Sequence, residues 1–320
     1  MPLLRFIPEA TNINFVGWRY VAFTVDGLLL VISIVSIFWW HGFNMGLDFT
    51  GGVQMEVHSA QAVNVSQVRS EVNALGFGDS AVQIIRGGQC DKPADSCVQI
   101  RVQPKAAKGA DPNTVAQTAL KAIKTRLGSG YTYRNEAAVG PKVSGELLQA
   151  GVLATLTAIL MIAIYVSVRF EWQYGIGAAV ATGHDVLVTA GLFSVLQLDF
   201  SLTSIAALLT LAGYSINDTV VVFDRIRENR RKYKRMKLGD LINLSTNQMV
   251  TRTILTSVAT AISLLPLYFF GGPALVDFSG PILFGIVVGT FSSIYVAAAL
   301  LLYLPAPAGA VEGPAEPVTA

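Results

Sequence analysis

Six stretches of this 320-residue chain are apolar over the length needed to cross a bilayer, and no other feature restricts its fold so severely. A helix rises about 1.5 Å per residue, so roughly 17–25 apolar residues span the hydrocarbon. The stretches run from about Tyr20 to Trp40, Leu147 to Val168, Trp172 to Leu198, Phe200 to Val222, Met249 to Phe270 and Pro281 to Leu304. Lipid offers no partner to an open N–H or C=O, so each is expected to be a helix. The first has too long an apolar core for a cleaved signal peptide, and no small-residue cleavage pattern follows it, so it reads as a retained span. Composition agrees, with 52% of residues hydrophobic and 14% charged. That balance argues against a soluble enzyme, a disordered chain or a nucleic-acid-binding protein.

Orientation follows from the short connections. Eight cations (Arg225, Arg227, Arg230, Arg231, Lys232, Lys234, Arg235 and Lys237) stand against Glu228 alone between Arg225 and Lys237, in the connection of spans four and five. The positive-inside rule places this basic loop, 225–248, in the cytoplasm, and both termini with it. Its bland meaning, a topology signal, outweighs any binding role. The expected organisation is a cytoplasmic N-terminus (1–19), a first span (20–40), a non-cytoplasmic domain (41–145) and five further spans (146–304). The Pro- and Ala-rich tail 305–320 is expected to be disordered and cytoplasmic.

The insert between spans one and two has an ordinary soluble composition. Val53, Met55 and Val57 alternate with polar residues as in a half-buried strand. A helix is expected over Ser66 to Leu75, then a strand from Ala81 to Arg86 and its hairpin partner from Cys97 to Val102. Asp111-Pro112 is a cap and a first-turn proline for a helix that stops at Gly128. Tyr131 to Arg134 opens a last strand. The order β-α-β-β-α-β predicts a ferredoxin-like α+β domain. Cys90 and Cys97 flank the hairpin turn at matching strand ends, and an oxidising compartment would favour a disulfide between them over two free thiols. Two cysteines suit neither a disulfide-built scaffold nor a four-thiolate metal site, and no metal or cofactor site is suggested.

An ionisable group at mid-membrane costs at least about 2.5–3.5 kcal/mol, so such residues are functional candidates. Asp218 lies about 9 Å inside the cytoplasmic edge and Arg252 enters span five at similar depth, which makes a carboxylate–guanidinium pair reasonable. Such a pair either loads and releases a proton or statically locks two helices. Asn217 is placed to donate an amide hydrogen bond at that level. His184 and Asp185 either extend a polar path or bond across helices. As neighbours about 100° apart they are not expected to serve one face together. Asp26 reads as structural and within reach of water. The glycines of spans three and six read as packing positions. No GxxxxGK[ST] or GxGxxG run and no nucleophile elbow occurs, so an ion gradient is the expected energy source and no enzyme activity is expected.

The segment from Phe43 to Gly52 (FNMGLDFTGG) resembles the start of the first periplasmic domain in the SecD and SecF protein-export subunits. Gly213 to Asn229 (GYSINDTVVVFDRIREN) is similar to the fourth-span signature on the SecF side of that family. Thr251 to Ser257 (TRTILTS) resembles the fifth-span signature, and Gly183-His184-Asp185 fits span three. The resemblance covers nearly the whole chain. It implies half of a twelve-span transporter of the RND type, with SecD supplying the other half. It also implies proton-motive-force-driven late-stage protein translocation across the bacterial inner membrane, beside the SecYEG channel, the SecA motor and YajC, acting on exported unfolded polypeptides. Asp218 and Arg252 match the positions implicated in proton transfer. A passive scaffold and a small-molecule exporter are the competing readings.

Overall fold

The computed structural model describes residues 11–59, 61–77, 80–85, 96–104, 112–271 and 273–305. The hairpin turn with Cys90, the cap residue Asp111 and the tail beyond 305 lie outside the described residues.

Within the insert, β2 (Gly52–Ser59), α3 (Val65–Asn73), β3 (Ser80–Ile85), β4 (Ser96–Val102), α4 (Pro112–Leu127) and β5 (Thr132–Val139) follow in the expected order. The sheet order is β3-β4-β2-β5 with every neighbour antiparallel, the arrangement of a ferredoxin-like sandwich. The alternation read from the sequence sets the buried face. Met55 and Val57 point into a core with Val98, Ile100 and Val102 of β4, closed by Val68 and Val72 of α3 and Ile123 of α4, and Val53 packs on Ala116 and Ala119 of α4. Asn64 caps α3, its side chain accepting from the Ser66 and Gln67 N–H groups. Where β5 slips register against Gln54 and Glu56, Asn135 takes φ +46° and its amide donates to Glu56 Oε2 at 2.5 Å. Asparagine tolerates that left-handed conformation, and the bulge bends the edge strand.

The bundle comprises α1 (Arg19–Val35), α5 (Pro141–Arg169), α6 (Trp172–Val195), α7 (Leu202–Lys232), α8 (Leu238–Phe270) and α9 (Pro273–Ser292). π-Helical turns extend α1 through Ser36–Trp40 and α9 through Ser293–Ala297, the latter running on into α10 (Ala298–Leu300). Two boundaries differ from the sequence reading. The basic stretch is largely helical, because α7 continues to Lys232 and α8 begins at Leu238, leaving only 233–237 as the turn. Span six begins at Pro273 rather than Pro281, and Pro281 sits inside the helix. Hydropathy marks where lipid contact stops; hydrogen bonds carry the helices past it.

Helices α6, α7 and α9 bury 61%, 50% and 67% of their apolar windows, against 11% for α5 and for α8. The inner three therefore form the core, and α1, α5 and α8 present apolar flanks. Glycines allow the close crossings: a Cβ on Gly191 would strike Ser33 of α1, and one on Gly285 would strike Leu211 of α7. The N-terminal residues before α1 are tied to α8. Asn243 and Asn247 accept from the Val16 and Ile13 N–H groups, both at 2.8 Å.

A compact joint connects the two regions. β1 (Asn44–Met45) pairs in parallel with β6 (Asp199–Phe200), the connection between α6 and α7, and α2 (Leu47–Thr50) follows β1. Asp48 Oδ2 accepts from the Leu202 N–H at the start of α7 at 2.9 Å. Arg101 of β4 forms an ion pair with Asp199, and Asn44 donates to the same carboxylate at 2.9 Å. Gly51 and Gly52 take φ +69° and +122°, and a Cβ on Gly52 would lie 2.5 Å from the Val102 carbonyl oxygen. Only glycine fits that turn without strain.

Candidate functional site

The membrane-spanning helices carry polar side chains inward, and these collect in two groups. The first surrounds Asp218, which is 3% exposed on α7. Its Oδ1 is 3.5 Å from the Thr256 hydroxyl of α8, while its Oδ2 has no hydrogen-bond partner. The same Thr256 hydroxyl is 3.0 Å from the Arg252 carbonyl, so one side chain touches both the carboxylate and the backbone of the expected partner. One turn before Asp218, the Tyr214 hydroxyl donates to Ser257 Oγ at 2.8 Å, and Ser257 meets Thr290 of α9 at 2.6 Å. A line of hydroxyls thus crosses from α7 through α8 to α9.

Asp218 and Arg252 are brought to the same level but are not ion-paired. Helix α8 turns Thr253 and Ser257 inward, which leaves Arg252 on its exposed side. There it lines a groove of about 460 Å³ with Tyr165, Arg169, Asp224, Arg225 and Glu228. Asn217 is also exposed, and no hydrogen bond from it occurs among the described residues. The amide donation expected of it is therefore not made among the described residues: one residue before Asp218, it points about 100° away from the packed face.

The second group lies on the α1 side. Asp185 is fully buried, accepts from Ser215 Oγ at 2.5 Å and meets His184 Nδ1 at 3.0 Å. His184 Nε2 is 3.3 Å from the Asp26 carbonyl oxygen on α1. The expectation that His184 and Asp185 act apart is corrected here. Their Cβ atoms diverge, but the ring and carboxylate are long enough to meet. Asp26 is 3% exposed rather than open to water, and neither carboxylate oxygen has a hydrogen-bond partner. A Cβ on Gly289 of α9 would come within 3.2 Å of Asp185 Oδ2, so glycine there makes room for the carboxylate.

Sequence reasoning missed Tyr214, Ser215, Thr256, Ser257 and Thr290, since hydroxyl residues are common in any span. Four of the five lie in the two signature segments quoted above, which was the available signal. It also passed over Asp277, which sits in α9 near Asp199 and Arg101 at the joint. Cys97 is buried on β4 opposite His58, and the proposed bridge to Cys90 rests on a residue outside those described. No cluster of three metal-binding side chains occurs among the described residues.

Fold and site together define a multi-pass helical membrane protein whose polar machinery lies between its spans and whose soluble α+β domain is inserted after the first. The chain belongs to the SecD/SecF family of protein export membrane proteins, on its SecF side. The family description "Protein export membrane protein SecD/SecF, C-terminal" matches residues 119–306, and "SecD/SecF GG Motif" matches residues 41–63, the joint containing Gly51 and Gly52. The protein translocase subunit SecF of Cereibacter sphaeroides is 43% identical over 94% of this chain and 92% of its own length. That of Vibrio alginolyticus is 40% identical over 94% and 93%. The crystal structure of SecDF, a translocon-associated membrane protein from Thermus thermophilus, superposes with a TM-score of 0.79 at 33% identity. It is matched over 93% of this chain but only 39% of the SecDF chain. The super-membrane-facing form of SecDF gives a TM-score of 0.66.

Proposed function

We propose that this chain acts with a SecD partner as a proton-driven unit that promotes late-stage translocation and release of exported polypeptides. It sits in the bacterial inner membrane with its termini and basic end cytoplasmic and its α+β domain periplasmic. The unit works beside the SecYEG channel, SecA and YajC, and draws on the proton gradient rather than on ATP. The observation that carries this reading is Asp218, a buried carboxylate with one oxygen unpartnered and hydroxyls of two helices beside it. An ionised carboxylate with so few partners is costly inside a bilayer, so gaining a proton there is favourable whenever one can reach it. Protonation at the free Oδ2 removes the pull on Arg252 across one turn of α8 and weakens the Thr256 bond, which then reaches a neutral carboxyl instead of a carboxylate. Both effects favour a different packing of α7 on α8, and a proton entering from one side and leaving to the other biases that packing in sequence. The joint at Asp199 and Phe200 starts α7, so a shift of this helix reaches the soluble domain directly.

The test is proton uptake by vesicles containing the chain with its SecD partner. Asp218→Asn is expected to abolish uptake and gradient-dependent release of exported protein while leaving association with SecD intact. Wild-type flux and release in that variant overturn the reading. Loss of association instead supports a purely structural role for Asp218 in packing α7.

A further inference from the structure

Asp26, His184 and Asp185 are the buried titratable groups that the Asp218 reading leaves unused. They come from α1 and α6, and Ser215 of α7 joins them. Ser215 and Asp218 are three residues apart on α7, both buried, and so share one face of the helix. Bonds then run from Ser215 Oγ to Asp185 Oδ2, from Asp185 Oδ1 to His184 Nδ1, and from His184 Nε2 to the Asp26 backbone. The charged groups acting on His184 are Asp185 of α6 and Asp26 of α1, and Gly289 of α9 lies beside Asp185.

The orphaned Asp26 carboxylate turns this arrangement from a bridge into a site. A structural polar cluster satisfies its members, because an unmade hydrogen bond in a buried place carries the full desolvation cost. Asp26 leaves both oxygens unsatisfied among neighbours that include an imidazole. A charged Asp26 needs a cation nearby, and the only candidate among these facing groups is His184 in its protonated form. A neutral Asp26 has taken up a proton itself. Either state requires a proton to be held in this group.

We infer that Asp26, His184 and Asp185 form a second proton-holding site, tied to α7 through the Ser215 hydroxyl one turn before Asp218. The inference rests on the proton-relay reading of Asp218. A proton taken up by the group rests either on the Asp26 carboxylate or on His184. In the second case Nδ1–H donates to Asp185 Oδ1 and Nε2–H to the Asp26 carbonyl oxygen. Ser215 keeps its own proton and donates it to Asp185 Oδ2 in both states. Asp26 and His184 are the proton holders, Asp185 and Ser215 position the imidazole, and Gly289 leaves space for Asp185.

The chain has three histidines, His41, His58 and His184, which makes the site readable. The experiment uses the complex with SecD in vesicles and compares wild type, Asp218→Asn, Asp26→Asn and His184→Gln. Proton uptake is expected to fall about tenfold or more in each variant, with association intact. In ¹⁵N-histidine spectra, the signal removed by His184→Gln is expected to titrate differently in Asp26→Asn than in wild type. Flux lost in Asp218→Asn but unchanged in Asp26→Asn and His184→Gln overturns this inference and leaves the Asp218 reading standing. Wild-type flux in Asp218→Asn removes both. Should His184→Gln fail to assemble with SecD, the spectra decide alone: a His184 signal that titrates identically with and without the Asp26 carboxylate overturns the second site.

Discussion

The α+β domain and the helical bundle solve the burial problem in opposite directions. In the domain, Val98 and Ile100 are completely buried while glutamines and charges of the same strands face out. In the bundle, Leu156, Leu160 and Leu255 are exposed, whereas Asp185, Ser194, Ser215 and Thr253 are buried. Water outside drives apolar groups inward, and lipid outside removes that drive, so helices associate through close packing and hydrogen bonds. The difference shows why the chemistry sits in the bundle. Only there does the fold gather carboxylates, an imidazole and hydroxyls away from water.

Three substitutions press on this contrast. The largest effect is expected from Ile100→Asp, which puts an unpaired charge into the domain core. The loss should exceed about 4 kcal/mol, enough to unfold the domain. Limited proteolysis of the full chain should then cut freely between β2 and β5, and unchanged resistance would show that the domain does not depend on this core. Next comes Leu156→Arg, on the lipid face of α5. At the centre of a span it is expected to cost about 3 kcal/mol of insertion free energy, read as a fall in membrane-integrated protein. Normal integration would mean that this face of α5 meets protein or water instead. The smallest effect is expected at the boundary. Arg101→Gln removes the half-buried ion pair to Asp199, worth about 1 kcal/mol, and should speed amide exchange at Asn44 and Phe200 while leaving the β2–β4 ladder protected. Equal exchange at the joint would show that the β1–β6 bridge holds without the pair.

Much of the fold is legible because each environment imposes a period. Apolar runs marked the six spans, and alternation at Val53, Met55 and Val57 marked the first sheet strand and its buried face. Asp218 and Arg252 were legible because charge is scarce inside a span. Thr256, Ser257 and Thr290 were not, since a hydroxyl can satisfy itself on the preceding turn of its own helix and so needs no explanation from outside it. Asp277 was hidden by the expectation that the helix starts at Pro281, eight residues after its actual first residue at Pro273.

The sequence by itself determined the number of spans, the order of the soluble domain and the few ionisable residues within the bilayer, because hydropathy and turn chemistry act locally. Only the tertiary structure decided which of those residues meet. It left Arg252 outward and Asp218 half-satisfied, closed His184 onto Asp185, and brought Asp26 from a helix 158 residues away to the same site. Helix rotation and crossing angle set these contacts, and they follow from packing at Gly191, Gly285 and Gly289 against distant helices. No local pattern encodes that geometry.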